Sequence, residues 1–418
     1  MSQPQRIEAD YLLETTADPH KVAATMAGEQ SSGTFIDVPG ESDALKARAA
    51  ARVERCEILA HDLPQALPSA RVDAARRAAR AALTLSWPLD NIGPSLPNLI
   101  ATVAGNLFEL REVSGLRIEA IRLPDAFADV YAGPAFGVAG TRRLAGVARG
   151  PLIGTIIKPS VGFSPEETAE RCRLLADAGI DFIKDDELQS DGLACPFEAR
   201  VGSVMAVLDA HADRTGRKVM FAFNVTGEID EMRRRHDHVL AAGGTCIMAS
   251  LNSVGPVGMV ALRRHAALPI HAHRNGWGYL SRHPALGWSY PAWSALWRLA
   301  GADHMHVNGL ANKFAETDEV VIRAARALGA PLFDRAPMAA MPVFSSGQTV
   351  WQAHGTYAAL GSADLIHALG GGIMGHPDGP AAGVAALRAA WAAAMDGRTL
   401  EEAANDNAAL AGAMGIRS

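Results

Sequence analysis

Cysteine is scarce in this chain. Its 418 residues include four, Cys56, Cys172, Cys195 and Cys246, far apart and without a CxxC pair. That spacing indicates neither a disulfide framework nor a cysteine zinc site, and it fits a reducing cytoplasm. An excess of positive charge is also lacking. The chain has 39 Lys and Arg against 45 Asp and Glu, a net charge of −6, which argues against a nucleic-acid surface. No apolar run is long enough to span a bilayer. The N-terminal MSQPQRIEADYLLETT has no apolar core of a signal peptide. A cytoplasmic protein with neither nucleic acid nor membrane as partner is expected.

What is present is a large apolar fraction, 49%, in a length that suits two or three domains. The stretch from Gly154 to Glu187 organises the rest. Leu152 to Ile157 is apolar and β-branched. Pro159 and Gly162 break it, Ser164 can cap a helix, and Glu166 and Glu167 suit that helix's first turn. The helix should end at Gly179 and a second buried strand start at Ile180. This is a βαβ unit of a parallel sheet. Each strand runs out into charge, the first at Lys158 and the second at Lys184-Asp185-Asp186-Glu187.

Three consecutive carboxylates raise one another's pKa unless a cation neutralises them. Strand alternation sends Lys184 and Asp186 to one face and Asp185 to the other. If the strand unwinds after Asp186, Glu187 joins the first face, giving two hard oxygen ligands beside a lysine. A free ammonium repels a metal, so the lysine either replaces the cation or is modified. As a carbamate formed with CO2 it becomes a third anionic oxygen ligand, a set suited to Mg2+. The plainer reading is a solvated acidic turn. The buried strand before it, and Lys158 one βα unit earlier, place the site reading ahead.

The first 135 residues read as a mixed domain. It has a polar lead-in strand, a short helix at Lys21 to Gly28, and a small-residue loop at 28–35 leading into a strand at Phe35 to Val38. Helical patterns are expected at Ala44 to Leu59, ambiguous from Val53, and at Ser69 to Ser86. Leu96 to Val103 reads as a helix or buried segment, and Ile118 to Leu123 as a strand. From Pro151 onward, strands and helices alternate. Strands are expected at Leu152–Ile157, Phe182–Lys184, Val219–Asn224, Thr245–Ala249, Pro269–Ala272, His304–Val307, Met341–Phe344 and Leu365–Ala368. Eight strands with eight helices suit a closed barrel better than an open doubly wound sheet, and no GxGxxG follows the first strand. The expected division is 1–135, a mixed α+β domain, and 136–418, an α/β barrel with a helical tail.

The other strand ends are polar. His271-Ala272-His273-Arg274 puts two histidines on one strand face. With His304 or His306 they suggest a zinc site, a metal-hydrolase alternative. An interior His271 satisfied by a backbone carbonyl is the plainer reading of that residue. Asn308 to Asn312, before Lys313, suits a mobile loop that closes over substrate and excludes water. Ser345-Ser346-Gly347 and Gly370-Gly371-Gly372 let backbone N–H groups approach an anion, which points to a phosphorylated substrate.

The segments GTIIKP, GIDFIKDDE, HAHRNGWG and HVNGLANKF resemble the large-chain family of ribulose-bisphosphate carboxylase/oxygenase (RuBisCO), and the match runs in order along nearly the whole chain. The resemblance implies a ferredoxin-like α+β domain before a (β/α)8 TIM barrel, and a homodimer or higher homo-oligomer with shared active sites. It implies Mg2+ held by carbamylated Lys184 with Asp186 and Glu187, and Lys158 as acid/base at the substrate carbon. His273 would flank substrate and metal, and Lys313 would be the lid lysine. Arg274 would contact a phosphate or carboxylate, and His306, Ser345, Gly347, Gly371 and Gly372 would serve phosphate. Glu29, Thr34 and Asn106 would reach the partner subunit's site.

The match fails at informative places. A second lysine of the carboxylase is here Ser160, a phosphate-site histidine is Trp277, and the GTWT loop is GTFI. These departures resemble RuBisCO-like proteins (form IV), not CO2-fixing carboxylases. HAHRNGWG and HVNGLANKF resemble the branch associated with branched-sugar-acid catabolism. That branch implies Mg2+-dependent decarboxylation of 3-oxo-isoapionate 4-phosphate to a tetrulose phosphate through an enediolate. The alternatives are a transcarboxylase/hydrolase giving 3-phosphoglycerate from the same substrate, a methionine-salvage enolase, and a degenerate barrel kept as a binding protein.

Overall fold

The computed structural model describes residues 5–32, 38–67, 73 and 75–415. It divides into two compact units. One is Met1–Ala132 with Gly276–Leu299 and Pro331–Pro337. The other is Gly133–Asn275 with Ala300–Ala330 and Met338–Ser418.

In the first unit, β1 (Arg6–Thr15), β2 (Arg52–Leu63), β3 (Ala78–Pro88) and β4 (Gly115–Arg122) pair antiparallel in the order β4-β1-β3-β2. Helices Pro19–Glu29 and Leu96–Val103 complete a βαββαβ, ferredoxin-like arrangement. Two expected helices are corrected here. The run 44–59 is helical only at Asp43–Ala49. From Arg52 it is strand, with Cys56, Ile58 and Ala60 alternating against more exposed neighbours. The expected helix at 69–86 is strand from Ala78. Leu83, Leu85 and Trp87 alternate with Thr84 and Ser86, and that period of two overrides the helix propensity of the alanines. The expected strand at Phe35 to Val38 lies largely outside the described residues.

In the second unit, eight parallel strands close into a barrel. In chain order they are β5 (Leu152–Ile156), β6 (Phe182–Lys184), β7 (Met220–Asn224), β8 (Cys246–Ser250), β9 (Ile270–His273), then β11 (His304–His306), β12 (Met341–Phe344) and β13 (Ile366–Ala368). The last pairs back onto β5. The short strand between, β10 (Leu286–Trp288), instead pairs parallel with β4 in the first unit's sheet. Leu152, Phe182, Met220, Cys246, Met341 and Ile366 share one buried cluster. A Cβ on Gly154 would lie 3.0 Å from the Phe182 ring, so glycine makes room for that side chain. The helix Pro165–Asp177 begins with a capping box in which Ser164 and Glu167 exchange hydrogen bonds.

The two ends of the barrel divide the work. At the N-terminal end, Asp303 Oδ1 accepts from the N–H groups of Phe136 and Gly137 at 2.6 and 2.9 Å. Asp181 Oδ2 accepts from the Ile153 N–H at 2.9 Å. Asp303 thus ties β11 to the start of the helix Gly137–Ala145 and, accepting from the Ile270 N–H at 2.8 Å, to β9, while Asp181 ties β6 to β5. At the C-terminal end the strands deliver Lys184, Asn224, His273, His306 and the residues that follow them.

Candidate active site

Lys184, the last residue of β6, is 1% exposed. Its ammonium donates to the Asp185 carbonyl at 2.6 Å. Burial draws this amine down to about 8, against the opposing pull of Glu187, Asp186 and Asp185. Asp185 points to the other face of the strand, where its Oδ2 lies 3.2 Å from the buried Arg200 and accepts from the Asn224 N–H at 2.9 Å. Burial pushes its carboxyl up, with Arg200 opposing.

On the inner face the Lys158 ammonium donates to Asp186 Oδ2 at 2.6 Å and to Ser160 Oγ at 2.7 Å. Burial disfavours the charged form of Asp186, but the Lys158 hydrogen bond, with Lys184 and Ser160, outweighs it and holds the carboxyl below its ordinary value. Glu187 Oε2 faces His273 Nε2 at 3.4 Å. The Asn275 N–H donates to His273 Nδ1 at 3.2 Å, so the neutral ring carries its proton on Nε2. Burial, then the charge of Lys184, depresses the His273 pKa well below its ordinary value. Asn224 Nδ2 donates to the carbonyls of Asp186 and Glu187 at 3.4 and 3.2 Å, bracing the loop.

This donor set fits a divalent cation of the oxygen-loving class. Two carboxylates and an amine drawn down to about 8, where CO2 can reach its neutral form far more readily than that of an ordinary lysine, are what a carbamate-completed site requires, and both carboxylates face other side chains here. The alternative zinc set does not form. His304 Nε2 is 2.7 Å from Thr141 Oγ1, and His271 Nε2 is 2.8 Å from His306 Nε2. His271 is interior as expected, but its partner is His306 and not a backbone carbonyl. Elsewhere His236, Asp237 and His265 cluster. The Ala267 N–H donates to His236 Nε2, which leaves the proton on Nδ1, facing Asp237, where a metal would need a lone pair.

His306 Nδ1 lies 3.0 Å from Ser345 Oγ. The loop after β11 is anchored beside it, with the Lys313 N–H donating to Ser346 O at 3.3 Å. Gly347 at φ 83° packs against Lys313, and a side chain there would be strained. Gly371 and Gly372 open the short helix after β13, and Gly370 packs against the Lys158 stem. In the first unit Asn106 Nδ2 is 3.4 Å from Glu29 Oε1. Thr34 lies outside the described residues. Trp277 is buried against Tyr290 and Trp293 as an aromatic filler.

Residues 137–416 match the model of the ribulose bisphosphate carboxylase large chain, catalytic domain, and residues 9–127 that of its N-terminal domain. The chain belongs to the ribulose bisphosphate carboxylase large-chain family. It is 62% identical over 413 residues, 99% of both chains, to a 3-oxo-isoapionate-4-phosphate transcarboxylase/hydrolase of Xanthobacter autotrophicus. It is 42% identical, over 97% of both chains, to a 3-oxo-isoapionate-4-phosphate decarboxylase of Rhizobium etli. The crystal structure of a rubisco-like protein from Burkholderia fungorum superposes with a TM-score of 0.93 at 46% identity, covering 99% of this chain and 100% of that one.

Motif reading missed two family-site neighbours. Asn224 ends β7 and could have been found by the rule that polar residues at strand C-termini face the site. Glu316 follows Lys313 in the sequence with no pattern to mark it. It pairs with Arg274 through Nη1 to Oε1 at 3.3 Å and Nη2 to Oε2 at 2.6 Å.

Proposed function

We propose that the protein acts on 3-oxo-isoapionate 4-phosphate as a transcarboxylase/hydrolase, with Lys158 governing the proton at the reacting carbon. The observation that carries this is the Lys158 ammonium at 2.6 Å from Asp186, beside the buried Lys184 and the half-buried Glu187. The substrate and outcome follow the relative that is 62% identical.

In a 3-oxo acid the ketone takes up the electron pair as the bond to the carboxyl breaks. CO2 departs and an enediolate remains. CO2 can rejoin at the neighbouring carbon, and water then adds to the new ketone and breaks its bond to that carbon, giving 3-phosphoglycerate and the remaining two carbons as glycolate. Lys158 is the acid/base for these proton movements. His273, neutral and carrying its proton on Nε2, donates to a substrate oxygen. Lys313 closes over the substrate and excludes water. His306, Ser345, Gly347, Gly371 and Gly372 hold the phosphate. In a homodimer, Glu29, Thr34 and Asn106 of a second copy complete the site. Lys184 as a carbamate, Asp186 and Glu187 would hold Mg2+, which when bound supplies Lewis-acid stabilisation of charge on vicinal oxygens.

Ser160 favours a second reading, plain decarboxylation. It stands where the carboxylase has a lysine that helps CO2 add to the enediolate. Without that lysine, protonation by Lys158 competes better and yields a tetrulose phosphate. Substrate labelled with carbon-13 in the carboxyl group, with Mg2+ and bicarbonate present, separates the two by NMR. Label in the phosphoglycerate carboxylate supports transfer. Label released wholly as CO2 assigns decarboxylation. No turnover removes the substrate assignment.

A further inference from the structure

Arg274 follows β9, and its guanidinium is already engaged. It grips Glu316 through two hydrogen bonds, at 3.3 and 2.6 Å. Asn308 Nδ2 donates to the same Glu316 Oε2 at 2.6 Å. The two side chains are 9% and 17% exposed, so the pair is largely withdrawn from water. The arrangement is built rather than incidental. Asn308 adopts φ 70° and accepts a hydrogen bond from Ser346 Oγ at 2.8 Å, which turns its amide N–H toward Glu316. Asn312 Nδ2 donates to the Glu316 carbonyl at 3.1 Å, so the backbone is fixed as well. The Arg274 charge bears on His273 and His306, which places it at the barrel mouth.

An arginine fork accepts a phosphate or a carboxylate with the same geometry. Here the chain's own carboxylate fills it. A substrate phosphate reaching Arg274 must break both Arg274–Glu316 hydrogen bonds and lie against the displaced Glu316 anion. Like charges brought together in a partly buried site repel strongly, which disfavours the second phosphate. We propose that Glu316 is a specificity-determining residue: by occupying Arg274 as a built-in anion, it restricts the barrel to sugar acids with one phosphate and rejects bisphosphates. This rests on the reading above, in which a single phosphate sits at the Ser345–Gly347 and Gly371–Gly372 end.

The test is calorimetric titration of the full chain and its Glu316→Ala and Glu316→Gln variants with ribulose 1,5-bisphosphate and ribulose 5-phosphate, without Mg2+ so that nothing turns over. The ratio of the two dissociation constants should move toward the bisphosphate by about tenfold or more in Glu316→Ala. It should move less, in the same direction, in Glu316→Gln, whose amide still fills the space and which keeps the measurement available if the alanine variant folds poorly. A ratio within about twofold of the unmodified protein in the variants overturns the proposal. Equal gains for both ligands also overturn it, since Glu316 would then compete with any phosphate. Failure of the protein to act on 3-oxo-isoapionate 4-phosphate would remove the reading above without altering this ratio.

Discussion

Lys158 and Asp186 form a 2.6 Å ion pair across the ends of β5 and β6. The lysine side chain is 45% exposed and the aspartate 4%, so the charge that reaches solvent and substrate is the ammonium. If Asp186 also serves as the proposed Mg2+ ligand, it has two claimants, Lys158 and the cation.

That competition separates the roles of the two lysines. Lys158→Ala removes the proton carrier and should lower turnover by about 10²–10⁴-fold. It also frees Asp186, so Mg2+ affinity should hold or rise. Lys184→Ala should lose turnover and Mg2+ affinity together. Calorimetry with Mg2+ and bicarbonate, run beside a turnover assay, checks both. Lys158→Ala losing Mg2+ as completely as Lys184→Ala would contradict the division.

Lys184 carries its own pH signature. CO2 adds to a neutral amine, and burial brings this amine down to about 8. Carbamylation should therefore rise with pH and pass its midpoint near pH 8 before metal is added. Native mass spectrometry should find one added CO2 per chain, absent in Lys184→Ala. A carbamylation midpoint near that of an ordinary surface lysine would show that the folded site leaves the amine unshifted.

Buried histidines should make the fold acid-sensitive well above the carboxylate range. His304 and His367 are drawn down to about 3, and His271, His273 and His306 well below the ordinary value, all by burial first. Above about pH 6.5 folded and unfolded chains both hold these rings neutral, and they contribute nothing to pH dependence. Below it the unfolded chain takes protons that the folded chain refuses, so stability falls until the folded pKa is reached. Each ring removes up to about 1.4 kcal/mol per pH unit in that window. Asp185 and Asp303, raised by burial, act with the opposite sign at lower pH. Thermal midpoints should drop from pH 6.5 to 5, and His304→Gln should flatten the slope. A flat profile would mean these rings titrate normally.

The sequence revealed the barrel more readily than the first domain, for a physical reason. Barrel strands such as Phe182–Lys184 and Met341–Phe344 are buried on both faces and bounded by turn residues, so composition marks them. β3 sits between β1 and β2 yet opens with alanine and arginine, which mimic a helix until tertiary pairing decides. Lys158 and Lys184 to Glu187 were visible because charge after a buried strand needs an explanation. Glu316 was not, since an acid in a loop is ordinary until Arg274 is seen to meet it. His271 was read correctly as interior, but pairing with His306 depends on strand register, which links β9 to β11 and which no local pattern encodes.

Arg200 is the least conspicuous residue on which the acidic site depends. It lies on the Phe197–Thr215 helix, fully buried, 3.2 Å from Asp185 Oδ2. It also donates to the carbonyls of Ser190 and Cys195 at 2.7 and 3.0 Å, and so holds the loop that continues from Glu187. Removing one partner of a buried ion pair strands the other charge, at a cost of about 3–5 kcal/mol. Arg200→Met should lower stability by about that amount in urea unfolding. Adding Asp185→Asn removes the stranded charge and should restore part of the loss. Mg2+ affinity should stay weakened in both, because the loop after Glu187 has lost its anchor. If Arg200→Met cost less than about 1 kcal/mol, as a surface pair does, the buried pair would not be what holds Asp185 on the far side of the strand from Lys184 and Asp186.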